Sequence, residues 1–174
     1  MAYNVTINGV DRTGDVLAGS INVEDQINDK VNNCSFSVKD ISGSGVPATD
    51  QEVIITLADD TVLFGGYITS VKIGKKSEGK IKFDLKAVDY TRLLDRNLVH
   101  KTYDNQTDKE IIEDIISTYC SGLGITTVNV IEGVTIDQIS FNYLQPSQCL
   151  RKICELTGRN WYIDDTKDIH YFPL

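Results

Sequence analysis

The acidic residues of the chain come in sets that invite a search for acid–base chemistry: Asp59-Asp60, Asp164-Asp165, and Glu110, Glu113 and Asp114 within one short stretch. A hydrolase needs two such carboxylates, or a nucleophile and a base, converging on one pocket. Both Asp-Asp pairs fall where the chain is expected to turn, and Asp is favoured there for hydrogen bonds to its own backbone. The third set lies at or near the start of a predicted helix, where the macrodipole favours negative charge. His100 and His170 have no Ser or Cys at a recognisable nucleophile–base spacing. Cys34, Cys120, Cys149 and Cys154 show no CxxC spacing, and two histidines are too few to complete a metal set with them, so they read as reduced structural thiols. Gly122-Leu123-Gly124 follows a helix and lacks the remaining glycine of a dinucleotide fingerprint and the Lys of a phosphate loop, so it reads as a helix stop. The acids never alternate as an EF-hand requires. Trp161, Tyr162, Tyr171 and Phe172 cluster near the end of the sequence; they could hold a sugar or a partner, but cross-strand packing is the favoured reading.

These residues point to no catalytic, cofactor or metal site, and composition agrees. With 174 residues, 41% hydrophobic and 24% charged, the chain suits one large or two small globular domains. The formal charge of −8 argues against a grip on nucleic acid, which draws affinity from clustered Lys and Arg, although an acidic surface suits DNA that must slide past. No apolar run is long enough to cross a membrane, and the start, MAYNVTINGVD, has neither the basic nor the apolar region of a signal peptide. The expectation is a protein made and initially kept in the cytosol, where the sequons Asn4-Val5-Thr6 and Asn105-Gln106-Thr107 carry no meaning.

The elements that would position any site divide in two. Up to about residue 98 the chain reads as short alternating strands separated by Gly, Asn and Asp. Strands are expected at Tyr3 to Ile7, followed by the hairpin signal Asn8-Gly9, then around Ile21 to Val23, Ser35 to Val38, Val53 to Leu57 and Val62 to Ile73. Ser42-Gly43-Ser44-Gly45-Val46-Pro47 reads as a loop and Gly74 to Gly79 as a solvated turn. Lys80 to Val88 is the clearest strand: Ile81, Phe83, Leu85 and Ala87 face one way, and Lys80, Lys82, Asp84 and Lys86 the other. Gly65-Gly66 suggests a bulge or bend where the sheet curls, so an antiparallel β-barrel or sandwich is predicted for residues 1–98. Residues 99–174 read as a small α+β domain. A helical turn at Asp89 to Asp95 precedes it, and Thr107-Asp108-Lys109-Glu110 forms a capping box for a helix with Ile111, Ile112, Ile115, Ile116 and Tyr119 on one stripe. A strand from Thr126 to Ile131, a turn at Glu132-Gly133, a second helix from Pro146 to Gly158 and a terminal hairpin complete it.

The order of these segments resembles the tail hub proteins of bacteriophages and contractile injection machines, the family of the late-control D proteins and the hub half of type VI spike proteins. The matching residues are Phe64, Gly66 and Ile68; Asp89, Tyr90, Leu93, Leu94 and Asp95; Tyr103, Asn105 and Thr107; and Leu150, Ile153, Thr157, Gly158, Trp161 and Tyr162. They span roughly residues 50 to 172, and their order and spacing carry the likeness more than any one motif. The resemblance implies a non-enzymatic structural protein of a phage or prophage tail, part of the baseplate or tail-tip hub that joins the tail tube to the spike or tip. It implies a homo-oligomeric ring, often a trimer in the family, built from an N-terminal β-barrel with an outer α+β domain, and a second barrel after the closing hairpin. Its partners would be tube, spike or tip proteins; no cofactor, metal, membrane insertion or catalytic residue is implied, and the partner interface is not located. Two other readings stand beside it: a tail-associated cell-wall hydrolase fragment using carboxylates of the α+β part, and a carbohydrate-binding module using the Trp161 hairpin.

Overall fold

A computed structural model describes residues 3–24, 32–39, 45–77 and 80–173. Its strands are β1 (Tyr3–Ile7), β2 (Val10–Asp11), β3 (Asn22–Glu24), β4 (Asn33–Lys39), β5 (Glu52–Leu57), β6 (Val62–Ser77), β7 (Lys80–Asp89), β8 (Val99–Thr107), β9 (Thr135–Leu144), β10 (Arg159–Ile163) and β11 (Ile169–Pro173). The helices are α1 (Asp108–Tyr119) and α2 (Pro146–Thr157), with 3-10 turns at Thr13–Asp15 and Tyr90–Arg96. The described residues fall into two compact units that divide between Asp89 and Tyr90.

The first unit is one antiparallel sheet of seven strands in the order β2-β1-β5-β6-β7-β4-β3. Asn8 and Gly9, both at positive φ, make the tight turn that their types predict between β1 and β2. Asp60 at φ 64 turns β5 into β6, while the Asp59 carboxylate accepts from the Thr61 amide at 3.1 Å. The inward residues of five strands, among them Val5, Phe36, Ile55, Phe64, Phe83 and Leu85, form one core, so the sheet supplies its own packing. Each such side chain contributes about 1.5–3 kcal/mol of burial.

Two expectations need correction, and of the expected antiparallel barrel the strand pairing gives the sheet itself: among the described residues β2 and β3, of two and three residues, stand at its opposite edges and do not pair with each other. The segment between them spans that gap by single contacts, with Val16 bridging Val38 and the Leu17 amide donating to the Ser37 carbonyl at 2.9 Å. Strand β6 runs on to Ser77, past the predicted stop at Ile73, and positions 78 and 79 of the expected turn lie outside the described residues, as do Ser42 to Ser44 of the expected loop. Gly65-Gly66 is not itself a bulge; the register slips between Ile68 and Ser70 instead. Gly66 answers a close approach, since a Cβ there would lie 2.1 Å from the Val88 carbonyl oxygen of β7.

The second unit holds both α-helices and two separate hairpins, β8–β9 and β10–β11. Helix α1 starts on the predicted capping box: Thr107 Oγ1 accepts from the Glu110 amide at 3.2 Å and the Glu110 carboxylate accepts from the Thr107 amide at 2.9 Å. Ile111, Ile112, Ile115 and Ile116 are its buried stripe. Helix α2 starts at Pro146, buries Cys149, Leu150, Ile153 and Cys154, packs on α1, and stops where Gly158 takes φ 67. Strands β8 and β9 were not expected. The predicted strand at Thr126 to Ile131 is reduced to two isolated parallel bridges with β11, at Thr126–Asp168 and Val130–Tyr171.

Substituting Gly66→Ala forces β6 away from β7 and is expected to destabilise by about 3 kcal/mol, the upper range of overpacking. Gly14→Ala, which meets nothing within 4 Å, is expected to change stability by less than about 0.5 kcal/mol. Urea denaturation of the two variants checks both outcomes.

Candidate functional site

The carboxylates singled out for chemistry are engaged in structural work. Asp164 accepts from the backbone amides of Thr166 and Asp168 at 2.8 and 2.9 Å and meets His170 Nε2 at 3.1 Å. Asp114 accepts from Lys101 Nζ at 2.8 Å and from the Tyr103 hydroxyl at 2.7 Å. Glu110 closes the cap of α1, and Glu113 faces Lys109 at 3.8 Å. His100 Nδ1 lies 3.1 Å from Asn142 Oδ1. The structure thus pairs His170 with Asp164 in the closing turn, sets His100 against Asn142, and gives Glu110, Glu113 and Asp114 separate partners. All four cysteines are buried and none is in a disulfide. Burial pushes the thiols of Cys34 and Cys149 up to about 12 and that of Cys120 up to about 11, so little reactive thiolate forms near neutral pH. Among the described residues no three His, Cys, Asp or Glu side chains gather as a metal site would need.

The aromatic cluster divides by face. Trp161 and Tyr171 are buried, at 2% and 0% exposure, and pair across β10 and β11. The sugar-binding reading of Trp161 is thereby overturned, because its ring meets no solvent. Tyr162 lies on the outer side, 46% exposed and stacked on His170 with 4.5 Å between ring centres.

Two aspartates that sequence reasoning took for a cap residue and a turn residue prove central to the second unit. Asp108 is fully buried and accepts from the amides of Lys109 and Gly133 at 2.8 Å each, of Val134 at 3.2 Å, and from the Tyr171 hydroxyl at 2.8 Å. Arg159 Nε approaches it at 3.8 Å while donating through Nη1 to the Ile131 carbonyl at 2.8 Å. Gly133 fits this crowd only because it has no side chain: a Cβ would stand 2.3 Å from the Asp108 carboxylate. The Tyr171 hydroxyl also meets Thr157 Oγ1 at 2.7 Å. Asp168 accepts from the Thr126 hydroxyl, from the amides of Val128 and Asn129 at 2.8 and 3.0 Å, and from the Asn129 side chain at 2.8 Å. Burial alone would raise its pKa, but these donors together outweigh burial and hold the carboxyl below its ordinary value of 3.8.

The two anchors hold the segment from Thr126 to Val134 beside β11, with Val130 buried at 2% exposure and three other apolar side chains outward: Val128 is 81% exposed, Ile131 54% and Val134 50%. Such groups suit contact with another protein better than catalysis. The signal for Asp108 was present in the sequence only as an acid next to a cap, which looks the same whether it faces solvent or four donors.

Asp108→Ala leaves buried amides and Arg159 without their acceptor and is expected to cost about 3–5 kcal/mol by urea denaturation. For Asp168 the folded pKa lies below the unfolded one, so its stabilisation is present above the ordinary carboxylate range and is lost as pH falls through the folded value. Urea midpoints followed from neutral pH down to about pH 2 should fall more steeply for the native chain than for Asp168→Asn.

No family model matches the chain, and no curated protein matches its sequence. Solved structures do match. The 43 kDa tail protein of prophage MuSo2 from Shewanella oneidensis superposes with a TM-score of 0.75 at 15% identity, over 98% of this chain and 53% of that one. Prophage tail protein gp18 from Listeria monocytogenes gives 0.66 at 12% identity, over 99% and 51%. The E. coli c3393 protein, a component of the type VI secretion system with structural similarity to the T4 bacteriophage tail proteins gp27 and gp5, gives 0.64 at 17% identity, over 96% and 47%. The chain shares its fold with these tail and secretion proteins and spans about half the length of each.

Proposed function

We propose that the chain is a structural component of a phage or prophage tail, forming part of the baseplate or tail-tip hub that connects the tail tube to the spike or tip. The observation that carries this reading is the likeness to prophage tail and type VI secretion proteins over nearly the whole of this chain. The residues that carry the resemblance to hub proteins also have structural tasks that such a fold requires. Phe64 and Ile68 are core residues and Gly66 admits β7. Asp89 accepts from the Asn32 amide at 2.7 Å, while Tyr90, Leu93 and Leu94 are buried. Thr157 bonds Tyr171, Gly158 ends α2, and Trp161 is core.

In this reading residues 1–98 are the hub domain and residues 99–174 the outer α+β domain. The change of compact unit shortly before that boundary supports two domains. The hub domain closes as a barrel through the segment from Thr13 to Ser20, a reading supported by the Val16–Val38 bridge and by a core drawn from the sheet alone. The chain works as a homo-oligomer, with a trimeric ring as the arrangement. β5 pairs with β6 only as far as Tyr67, so the far part of β6 offers an edge that can accept another strand. Its task is assembly, a reading supported by the tail and secretion proteins whose fold it shares. The net charge of −8 suits a wall past which DNA moves without being held. The protein is made in the host cytoplasm and resides in the virion tail.

Gold-labelled antibody against the chain should mark the tail tip of particles released from the cell that carries its gene, and deleting the gene should leave capsids without functional tails. Particles that keep normal tails and lack the protein would overturn the reading.

A further inference from the structure

The β8–β9 ribbon has two unlike faces. One is buried through Val99, Tyr103 and Phe141, with the Tyr103 and Phe141 rings edge to face at 6.0 Å. The other is a ladder of exposed polar pairs that meet across the strands in register. His100 Nδ1 lies 3.1 Å from Asn142 Oδ1, Thr102 Oγ1 2.9 Å from Ser140 Oγ, and Gln138 Nε2 donates to Asp104 Oδ1 at 2.6 Å. Successive rungs stand about 6.8 Å apart, so the row extends roughly 14 Å. Each pairing holds its side chains in place and leaves spare groups: the amide N–H of Asn142, the amide oxygen of Gln138 and the remaining capacity of both hydroxyls.

Tyr143 ends the ladder in an unusual way. The register slips between Val99 and His100, leaving Tyr143 as the extra residue of a bulge, with φ at 54°. Bulky side chains avoid that backbone region, and bulges are a means of re-aiming a side chain. Here the bulge lays the Tyr143 ring against His100, 4.6 Å between centres and 12° from parallel, while leaving Tyr143 65% exposed. The strained conformation thus gains little burial within the chain, the pattern of a residue held ready for a ligand.

Charge complementarity selects the occupant. On a chain of net charge −8, this face carries Asp104 and no Lys or Arg, since Lys101 turns to the opposite side and pairs with Asp114 at 2.8 Å. Nucleic acid needs clustered cations, and a protein partner needs an apolar centre that the ladder lacks. A flat aromatic ring beside a row of fixed amides and hydroxyls fits a ligand with one apolar face and many hydroxyls. We propose that the outer face of β8–β9 binds a neutral oligosaccharide, one sugar ring stacked on Tyr143 and the following hydroxyls bonded by Asn142, Thr102, Ser140 and Gln138. The site is distinct from the buried Trp161 and does not depend on the tail-hub reading.

The test titrates the full chain, amide-labelled for NMR, with chitotetraose, cellotetraose, maltotetraose and an array of further neutral glycans, each to about 10 mM, well above the millimolar Kd of a weak site. At least one should shift the amides of residues 100–104 and 138–143, while heparin and polyphosphate should not. Tyr143→Gly removes the ring and relieves the positive φ, so it should keep or raise the Tm while weakening binding about tenfold, and Tyr143→Phe should retain binding. The proposal fails if no neutral glycan shifts these amides, if only the anionic polymers do, or if Tyr143→Gly binds as tightly as the native chain.

Discussion

The second unit is organised by one buried carboxylate. Placing Asp108 out of water is costly unless each oxygen is met by donors, and the chain supplies them from four separate places: the start of α1, the Gly133-Val134 amides, Arg159 and Tyr171. Outside α1, the donors belong to segments that little else fixes. The Glu132-Gly133 connection has no ladder of its own, and β10–β11 is a two-stranded hairpin, which is marginal when isolated. Satisfying one charge therefore decides where a loop, a helix start and a hairpin come to rest. The same need excludes a side chain at position 133 and makes Thr157 and Arg159 part of one network with Tyr171.

The first unit solves a different problem. Among its described residues no α-helix lies over the sheet, and the inward faces of five strands find their partners on the same sheet. Close approach of neighbouring backbones follows, and Gly66 is where that approach is tightest. The short β2 and β3 leave edges with little ladder, a device that limits unwanted pairing. Among the described residues β5 pairs with the extended β6 only as far as Tyr67, and β6 continues to Ser77.

What could be read in the sequence was what local rules govern. The alternation of Lys80 to Val88, the Asn8-Gly9 turn, the Thr107 to Glu110 box, and the Pro146 and Gly158 ends of α2 each depend on residues adjacent in the chain. Strands β8 and β9 escaped because Asp, Asn, Gln and Lys interrupt their apolar residues, although Ile139 to Tyr143 does carry an alternating stretch. The segment at Thr126 looked like a strand from its β-branched residues, but Asp168 claims the amides of Val128 and Asn129 and breaks the ladder. The roles of Asp108 and Asp168 depend on partners far along the chain, which no local pattern encodes. The acids whose spacing suggested chemistry are held by nearer partners, Asp164 in its own turn, Glu110 in the cap of α1 and Asp114 in an ion pair with Lys101.

The long span of the Asp108 network also bears on how the polypeptide emerges during synthesis. Asp108 and the Tyr171 hydroxyl that bonds it are 63 residues apart. At about 5–20 residues per second, the carboxylate is made roughly 3–13 seconds before that partner exists. Every strand of the seven-stranded sheet is already synthesised by then, since β7 ends at Asp89. Translation itself thus orders the two units in time: the sheet can settle on its own core while the α+β unit stays incomplete until its last strand is made.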